Sequence, residues 1–221
     1  MPTQNHDVTA DAVTDRITGI GLLPVIVVDD VAQARPLAQA LVDSGLHTAE
    51  VTFRTPQALD ALSVLAGRPE LLVGAGTVRT AEQARRARDA GARFVVSPGF
   101  SELVVDACRA LELPVFPGVS SATDIHRATE AGLDVLKFFP AEASGGAPAI
   151  AALSAPFPDV RFIPTGGVGP RNLADYLRLP AVCCVGGSWM VPRDAMGAGD
   201  WRSVTDLCRQ AVAQVADLCG N

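Results

Sequence analysis

The sequence predicts an α/β chain closed into a single (β/α)8 barrel, with one extra helix at its N-terminal end. Three observations carry the prediction. Short apolar runs occur without polar alternation, helical segments separate them, and polar or glycine residues recur where the runs end. A continuous apolar run marks a strand buried on both faces, as parallel strands under covering helices are. Eight strand–helix repeats within 221 residues suit a compact barrel. An open doubly wound sheet would share the element count, but nothing marks the halfway switch point it requires.

Taken in order, residues 1–6 read as a flexible tail and residues 7–20 as an amphipathic helix covering one end of the barrel. The run at 22–28 (LLPVIVV) is the first strand; Asp29-Asp30 offers caps for a helix over 31–43, which stops at Gly45. Further strands are expected at 48–53, 71–77, 93–97, 114–119, 135–140, 160–165 and 181–186. Helices are expected at 56–66, 81–90, 102–111, 122–131, 148–154 and 170–179, with a last one at 200–218. Gly45, Gly91 and Gly132 follow helices, as left-handed C-terminal caps do. No linker or low-complexity segment divides the chain, so residues 1–221 read as one domain.

Composition narrows the function. With 48% hydrophobic and 19% charged residues the chain suits a soluble globular protein with a large core. A net charge of −6 argues against a nucleic-acid partner, which would want a basic face. The cluster Arg85, Arg86, Arg88 lies beside Glu82 and Asp89 and reads as a solvated helix face. No apolar run is long enough for a membrane span, and the acidic N-terminus lacks the pattern of a signal peptide. The five cysteines (Cys108, Cys183, Cys184, Cys208, Cys219) form no CxxC pair and suit a reducing, cytoplasmic setting. His6, His47 and His126 are scattered, so no metal ligand is expected. No GxGxxG or Walker-type loop calls for a dinucleotide or ATP, so no cofactor is expected either.

Lys137 stands out. It is the sole lysine among 18 basic residues, and it lies within the apolar run Val135-Leu136-Lys137-Phe138-Phe139. Arginine can supply a solvated charge equally well, but not a nucleophilic amine. Desolvation among Val, Leu and Phe works against the charged form and frees the lone pair for attack on a carbonyl. Two readings remain open: imine chemistry, or a lysine that snorkels to a barrel end or pairs with a buried carboxylate.

Strand periodicity puts Glu50, Thr52 and Arg54 on one face of the second strand. A charge pointing into a barrel is costly unless paired or used, so Glu50 is either a general acid/base or half of an ion pair with Arg54 or Lys137. Gly74 and Gly76 in the third strand allow close approach of backbone or ligand, and Thr77 offers a hydroxyl at its end. Lys137 and Phe139 share a face of the sixth strand. The pairs Gly166-Gly167 and Gly186-Gly187, the latter followed by Ser188, stand after the seventh and eighth strands, where barrels of this kind hold phosphate on backbone N–H groups.

With these pieces assembled, the chain resembles the 2-keto-3-deoxy-6-phosphogluconate (KDPG) aldolase family, class I enzymes that form an imine. The resemblance is carried by Pro24-Val25-Ile26-Val27-Val28, Glu50-Val51-Thr52-Phe53-Arg54-Thr55, Gly74-Ala75-Gly76-Thr77-Val78 and Ser97-Pro98-Gly99-Phe100. It continues in Lys137-Phe138-Phe139-Pro140-Ala141-Glu142, Pro164-Thr165-Gly166-Gly167-Val168 and Val185-Gly186-Gly187-Ser188-Trp189. It implies Lys137 as the Schiff-base lysine and Glu50 as the proton shuttle. Arg54 and Thr77 would hold the pyruvate carboxylate, Pro98 and Phe139 would line the pocket, and Thr165 would contact the sugar-derived part. Gly166, Gly167, Gly187 and Ser188 would take the phosphate of a phosphorylated 2-keto acid. The family is usually homotrimeric and needs no metal. Phe53 and Phe100 depart from many members at the pocket edge without touching this chemistry. Close alternatives are aldolases for 2-keto-3-deoxy-6-phosphogalactonate or 4-hydroxy-2-oxoglutarate. A phosphosugar isomerase or epimerase using Glu50, and a non-catalytic sensor, stand further off.

Overall fold

The structure, a computed structural model, describes residues 10–220. The expected tail (1–6) and the first residues of the expected N-terminal helix (7–9) lie outside the described residues. Helix α1 (Ala10–Ile20) leads into nine strand segments: β1 (Leu22–Ile26), β2 (Thr48–Thr52), β3 (Leu72–Gly76), β4 (Val95–Val96), β5 (Val115–Phe116), β6 (Gly118–Val119), β7 (Val135–Phe138), β8 (Arg161–Pro164) and β9 (Val185–Gly187). The helices after α1 are α2 (Ala34–Asp43), α3 (Ala58–Ala66), α4 (Ala81–Asp89), α5 (Glu102–Ala110), α6 (Ala122–Glu130), α7 (Gly146–Ser154), α8 (Leu173–Leu177), α9 (Arg193–Gly197) and α10 (Trp201–Cys219).

Every strand pairing is parallel. One sheet runs β5-β4-β3-β2-β1-β9 and the other β6-β7-β8. Parallel bridges Phe162↔Val182 and Thr165↔Gly186 close β8 onto the stretch containing β9, which completes a TIM barrel. The expected fifth strand is two pieces, β5 and β6, because Pro117 between them has no N–H for a ladder. Its carbonyl still accepts from Lys137 N at 2.9 Å, so the wall stays continuous. The eighth strand is later and shorter than expected: Phe162 and Val182 make only an isolated bridge before β9 begins at Val185. The helix expected over 31–43 opens as a 3-10 turn at Val31–Gln33, capped by Asp30, whose side chain accepts from Ala32 N at 2.9 Å. Helix α8 starts at Leu173 rather than at 170, since Asn172 Oδ1 accepts from Gly169 N at 2.8 Å and holds the preceding residues in a turn. Helix α9 was not foreseen.

Two apolar layers hold these elements. Outward strand residues such as Ile26, Val51, Val73, Val95 and Leu136 pack under the helices. Inside the barrel, Leu23, Leu72, Phe94, Val96, Phe116, Val135, Ile163 and Cys184 form a separate cluster that Val13 and Ile17 of α1 complete. The extra helix therefore plugs the N-terminal end, leaving the opposite end for a site. Gly74 leaves room for the Phe94 ring, which lies 2.2 Å from the position a Cβ would take. Gly45, Gly91 and Gly132 have φ of 78°, 95° and 74°, the left-handed helix ends expected of them.

Candidate active site

Because Ala49 and Val51 face the helix layer, alternation turns Thr48, Glu50 and Thr52 inward. Strand β7 does the same with Leu136 and Phe138 outward and Lys137 inward. The two strands lie across the barrel from each other, so their inward charges meet. Lys137 Nζ lies 3.2 Å from Glu50 Oε1, with side chains only 5% and 1% exposed. Of the two ion-pair partners considered for Glu50, the structure selects Lys137. Taking both charges out of water costs several kcal/mol that their attraction barely offsets. Such a pair is poor evidence for stability and good evidence for chemistry. Its second oxygen sharpens the point: among the described residues, Glu50 Oε2 is buried without a protein hydrogen-bond partner. An oxygen in that condition calls for a water or a ligand hydroxyl.

Gly76 makes this arrangement feasible. A Cβ there would lie 2.3 Å from Glu50 Oε1, so what approaches this glycine is the carboxylate rather than the backbone or ligand expected. Gly118, in register with Lys137, is pressed by the Pro98 carbonyl at 2.2 Å from its hypothetical Cβ, which sets Pro98 beside the lysine's strand. The Phe139 ring covers the amine, its centroid 5.3 Å from Nζ.

Arg54 does not share the inward face of β2, because that strand ends at Thr52 and the chain turns, Arg54 N donating to Thr52 O at 2.8 Å. Its exposed side chain reaches the end of β3 instead, where Nε donates to Thr77 Oγ1 at 3.3 Å. Thr77 has φ of 58°, a left-handed conformation that costs a β-branched residue about 1–3 kcal/mol and clusters at functional sites. Arg54 and Thr77 thus form a second polar group at the rim.

On the far side of the mouth, Gly166 and Gly167 follow β8 with φ of 102° and 81°. Gly166 O accepts from Glu142 N at 3.0 Å, and Gly167 O accepts from Asn172 Nδ2 at 3.2 Å. In a trans peptide the N–H points opposite to the carbonyl, so the Gly167 and Val168 N–H groups are turned away from these anchors. Successive backbone N–H groups in such a turn can receive an anion. Gly186 and Gly187 lie within β9 rather than after it, buried under Thr165 Oγ1 and the Trp189 ring, which come within 2.2 Å and 1.8 Å of their hypothetical Cβ positions. Thr165 is buried, and Ser188, exposed, opens the loop beyond. Sequence reasoning assigned no role to Glu142, Tyr176 or Asn172. Only a Gly-x-x-Asn spacing after Gly169 hinted at the turn.

A closed parallel barrel with one internal amine, an abutting carboxylate, a rim arginine and a glycine anion loop is the equipment of an enzyme that works on carbonyl compounds bearing anionic groups. Comparison with known proteins narrows the class. The family model for KDPG and KHG aldolase matches residues 13–207, and the chain belongs to that family. It is 46% identical to the 2-dehydro-3-deoxy-phosphogluconate aldolase of Pseudoalteromonas atlantica over 89% of this chain and 92% of that one. It is also 46% identical to the KHG/KDPG aldolase of Escherichia coli, over 86% of this chain and 90% of the relative. The crystal structure of a Legionella pneumophila KDPG aldolase, with pyruvate captured as a covalent carbinolamine, superposes with a TM-score of 0.87 at 43% identity. That match covers 91% of this chain and 97% of the other.

Proposed function

We propose that the protein is a Schiff-base aldolase that cleaves 2-keto-3-deoxy-6-phosphogluconate to pyruvate and glyceraldehyde 3-phosphate. The observation that carries the reading is the buried Lys137–Glu50 contact of 3.2 Å, formed inside a barrel whose family includes a carbinolamine-forming relative. Glu50 takes a proton from the Lys137 ammonium, and the neutral amine attacks the C2 ketone. Glu50 returns that proton to the carbinolamine hydroxyl, which leaves as water; this yields a protonated imine, an electron sink, and restores the Glu50 carboxylate. Glu50, directly or through a water, then removes the C4 hydroxyl proton; the C3–C4 bond breaks and its electrons flow into the imine. The aldehyde departs, the enamine takes a proton at C3, and hydrolysis frees pyruvate and the lysine.

In this reading Arg54, steadied by Thr77, holds the substrate carboxylate as a bidentate pair. Phe139 and Pro98 wall the reacting carbons, and Thr165 meets the hydroxylated chain. The Gly166–Gly167 turn with Gly187 and Ser188 receives the phosphate on backbone N–H groups. Purified protein given the phosphorylated substrate should release pyruvate and glyceraldehyde 3-phosphate in equal amounts. Absence of both products from folded protein would refute the assignment. Since the Escherichia coli relative is a KHG/KDPG aldolase, 4-hydroxy-2-oxoglutarate is the second substrate to assay.

A further inference from the structure

Glu142 belongs to neither the amine–carboxylate pair nor the rim, yet both its backbone and its side chain meet the glycine turn after β8. Its backbone N–H holds the Gly166 carbonyl, the contact that turns the Gly167 N–H away from Glu142. Its side chain lies against Gly167, where a hypothetical Cβ would sit 2.6 Å from Cγ and 2.7 Å from the glutamate Cβ. Its Oε1 accepts a hydrogen bond from the Tyr176 hydroxyl, 34 residues further along the chain. Tyr176 itself is 1% exposed and packed in the core, so it is a fixed post. Gly146, at the start of α7, has its hypothetical Cβ 3.4 Å from Glu142 Oε1 and 3.5 Å from Tyr176 Oη, so α7 begins in ordinary packing distance of the pair.

A carboxylate beside an anion-receiving turn would repel a phosphate if it were free to swing toward it. The tyrosine hydroxyl pins it back and gives its charge a donor. Holding the Glu142 side chain also fixes the backbone N–H that orients the turn, so the two contacts act on one loop. We propose that Glu142 and Tyr176 form a positioning pair. It holds the Gly166–Gly167 turn in its phosphate-receiving shape, and so sets the preference for a phosphorylated aldehyde end over an unphosphorylated one. This rests on the reading of that turn as the phosphate site.

The test compares cleavage of 2-keto-3-deoxy-6-phosphogluconate with cleavage of the same keto acid lacking its phosphate. The proteins are the wild type, Tyr176→Phe and Glu142→Gln. Tyr176→Phe should raise KM for the phosphorylated substrate about threefold to tenfold, the worth of one hydrogen bond, with kcat and the unphosphorylated reaction unmoved. Glu142→Gln keeps an oxygen to accept from Tyr176 and should retain the preference. Equal losses on both substrates in Tyr176→Phe, or no loss on either, would overturn the pair's role while leaving the phosphate site standing. A wild type without preference for the phosphorylated substrate would overturn the phosphate reading itself, and the pair with it.

Discussion

The position of the Glu50 carboxylate depends on a missing side chain, and Gly76→Ala tests how much. Gly76 ends β3 in an extended conformation that alanine adopts freely, so the substitution acts through its methyl group alone. That methyl would sit 2.3 Å from Glu50 Oε1, 2.5 Å from Cγ and 2.8 Å from Cδ, all shorter than real Cβ contacts allow. Glu50 is fully buried, so its carboxylate must retreat by something near an ångström and take its 3.2 Å contact with Lys137 along. A misplacement of that size costs on the order of 100-fold in rate. Overpacking costs about 1–3 kcal/mol, or roughly 2–12 °C in Tm for a chain of this size. Steady-state cleavage and thermal melts separate the two effects. Gly74→Ala is the control, since its methyl meets the Phe94 ring at 2.2 Å and should destabilise without a matching loss of kcat. A folded Gly76→Ala enzyme with kcat within about threefold of wild type would refute the claim that Glu50's placement limits the reaction.

Lys137→Arg retains the charge but not the nucleophile, and should leave no measurable cleavage in a folded protein; substantial turnover would sink the imine mechanism. Glu50→Gln should slow turnover about 10²–10⁴-fold while borohydride still traps some imine, and unchanged turnover would remove the carboxylate from the mechanism. Thr77→Gly relieves the left-handed strain, so Tm should rise by about 2–4 °C as activity falls through loss of the Arg54 contact; a lower Tm would show the conformation to be unstrained. Burial opposes the charge of Asp124, but hydrogen bonds from Ser121 and the Ser120 and Ser121 backbone, with Arg127 nearby, outweigh it and hold this carboxyl below the usual range. Its folded value is depressed, so its contribution is present above the unfolded value of about 3.9 and fades as pH falls through the folded one. The urea midpoints of wild type and Asp124→Asn should differ near neutrality and draw together as pH falls below about 3.9; a gap that does not narrow there would contradict the assignment.

Much of this was legible because the barrel writes its layers into a simple code. Two-sided burial shows as unbroken apolar runs, and against such runs Lys137 and Glu50 are conspicuous. Three things were not legible, each for a physical reason. Strand period extrapolated past Thr52 put Arg54 on the inward face, but periodicity lasts only as long as the ladder, and the chain turns there. The roles of Gly74 and Gly76 depend on which side chains cross the barrel, Phe94 and Glu50, and no local pattern encodes that. The Glu142–Tyr176 contact joins the turn after β7 to helix α8, which only the pairing of β7 with β8 brings together. Burial explains the quiet thiols more readily: desolvation pushes Cys108 and Cys208 up to about 12 and Cys183 to about 11, as space-filling cysteines would be.

The central claim is that Lys137 forms an imine, and the most direct measurement is an intact mass after incubation with pyruvate and sodium borohydride. Because the chain has no other lysine, a reduced adduct can sit only on Lys137 or the N-terminal amine, and a peptide map separates them. The account predicts one adduct per chain, at Lys137. A folded protein that acquires none, or acquires it only at the N-terminus, would contradict it.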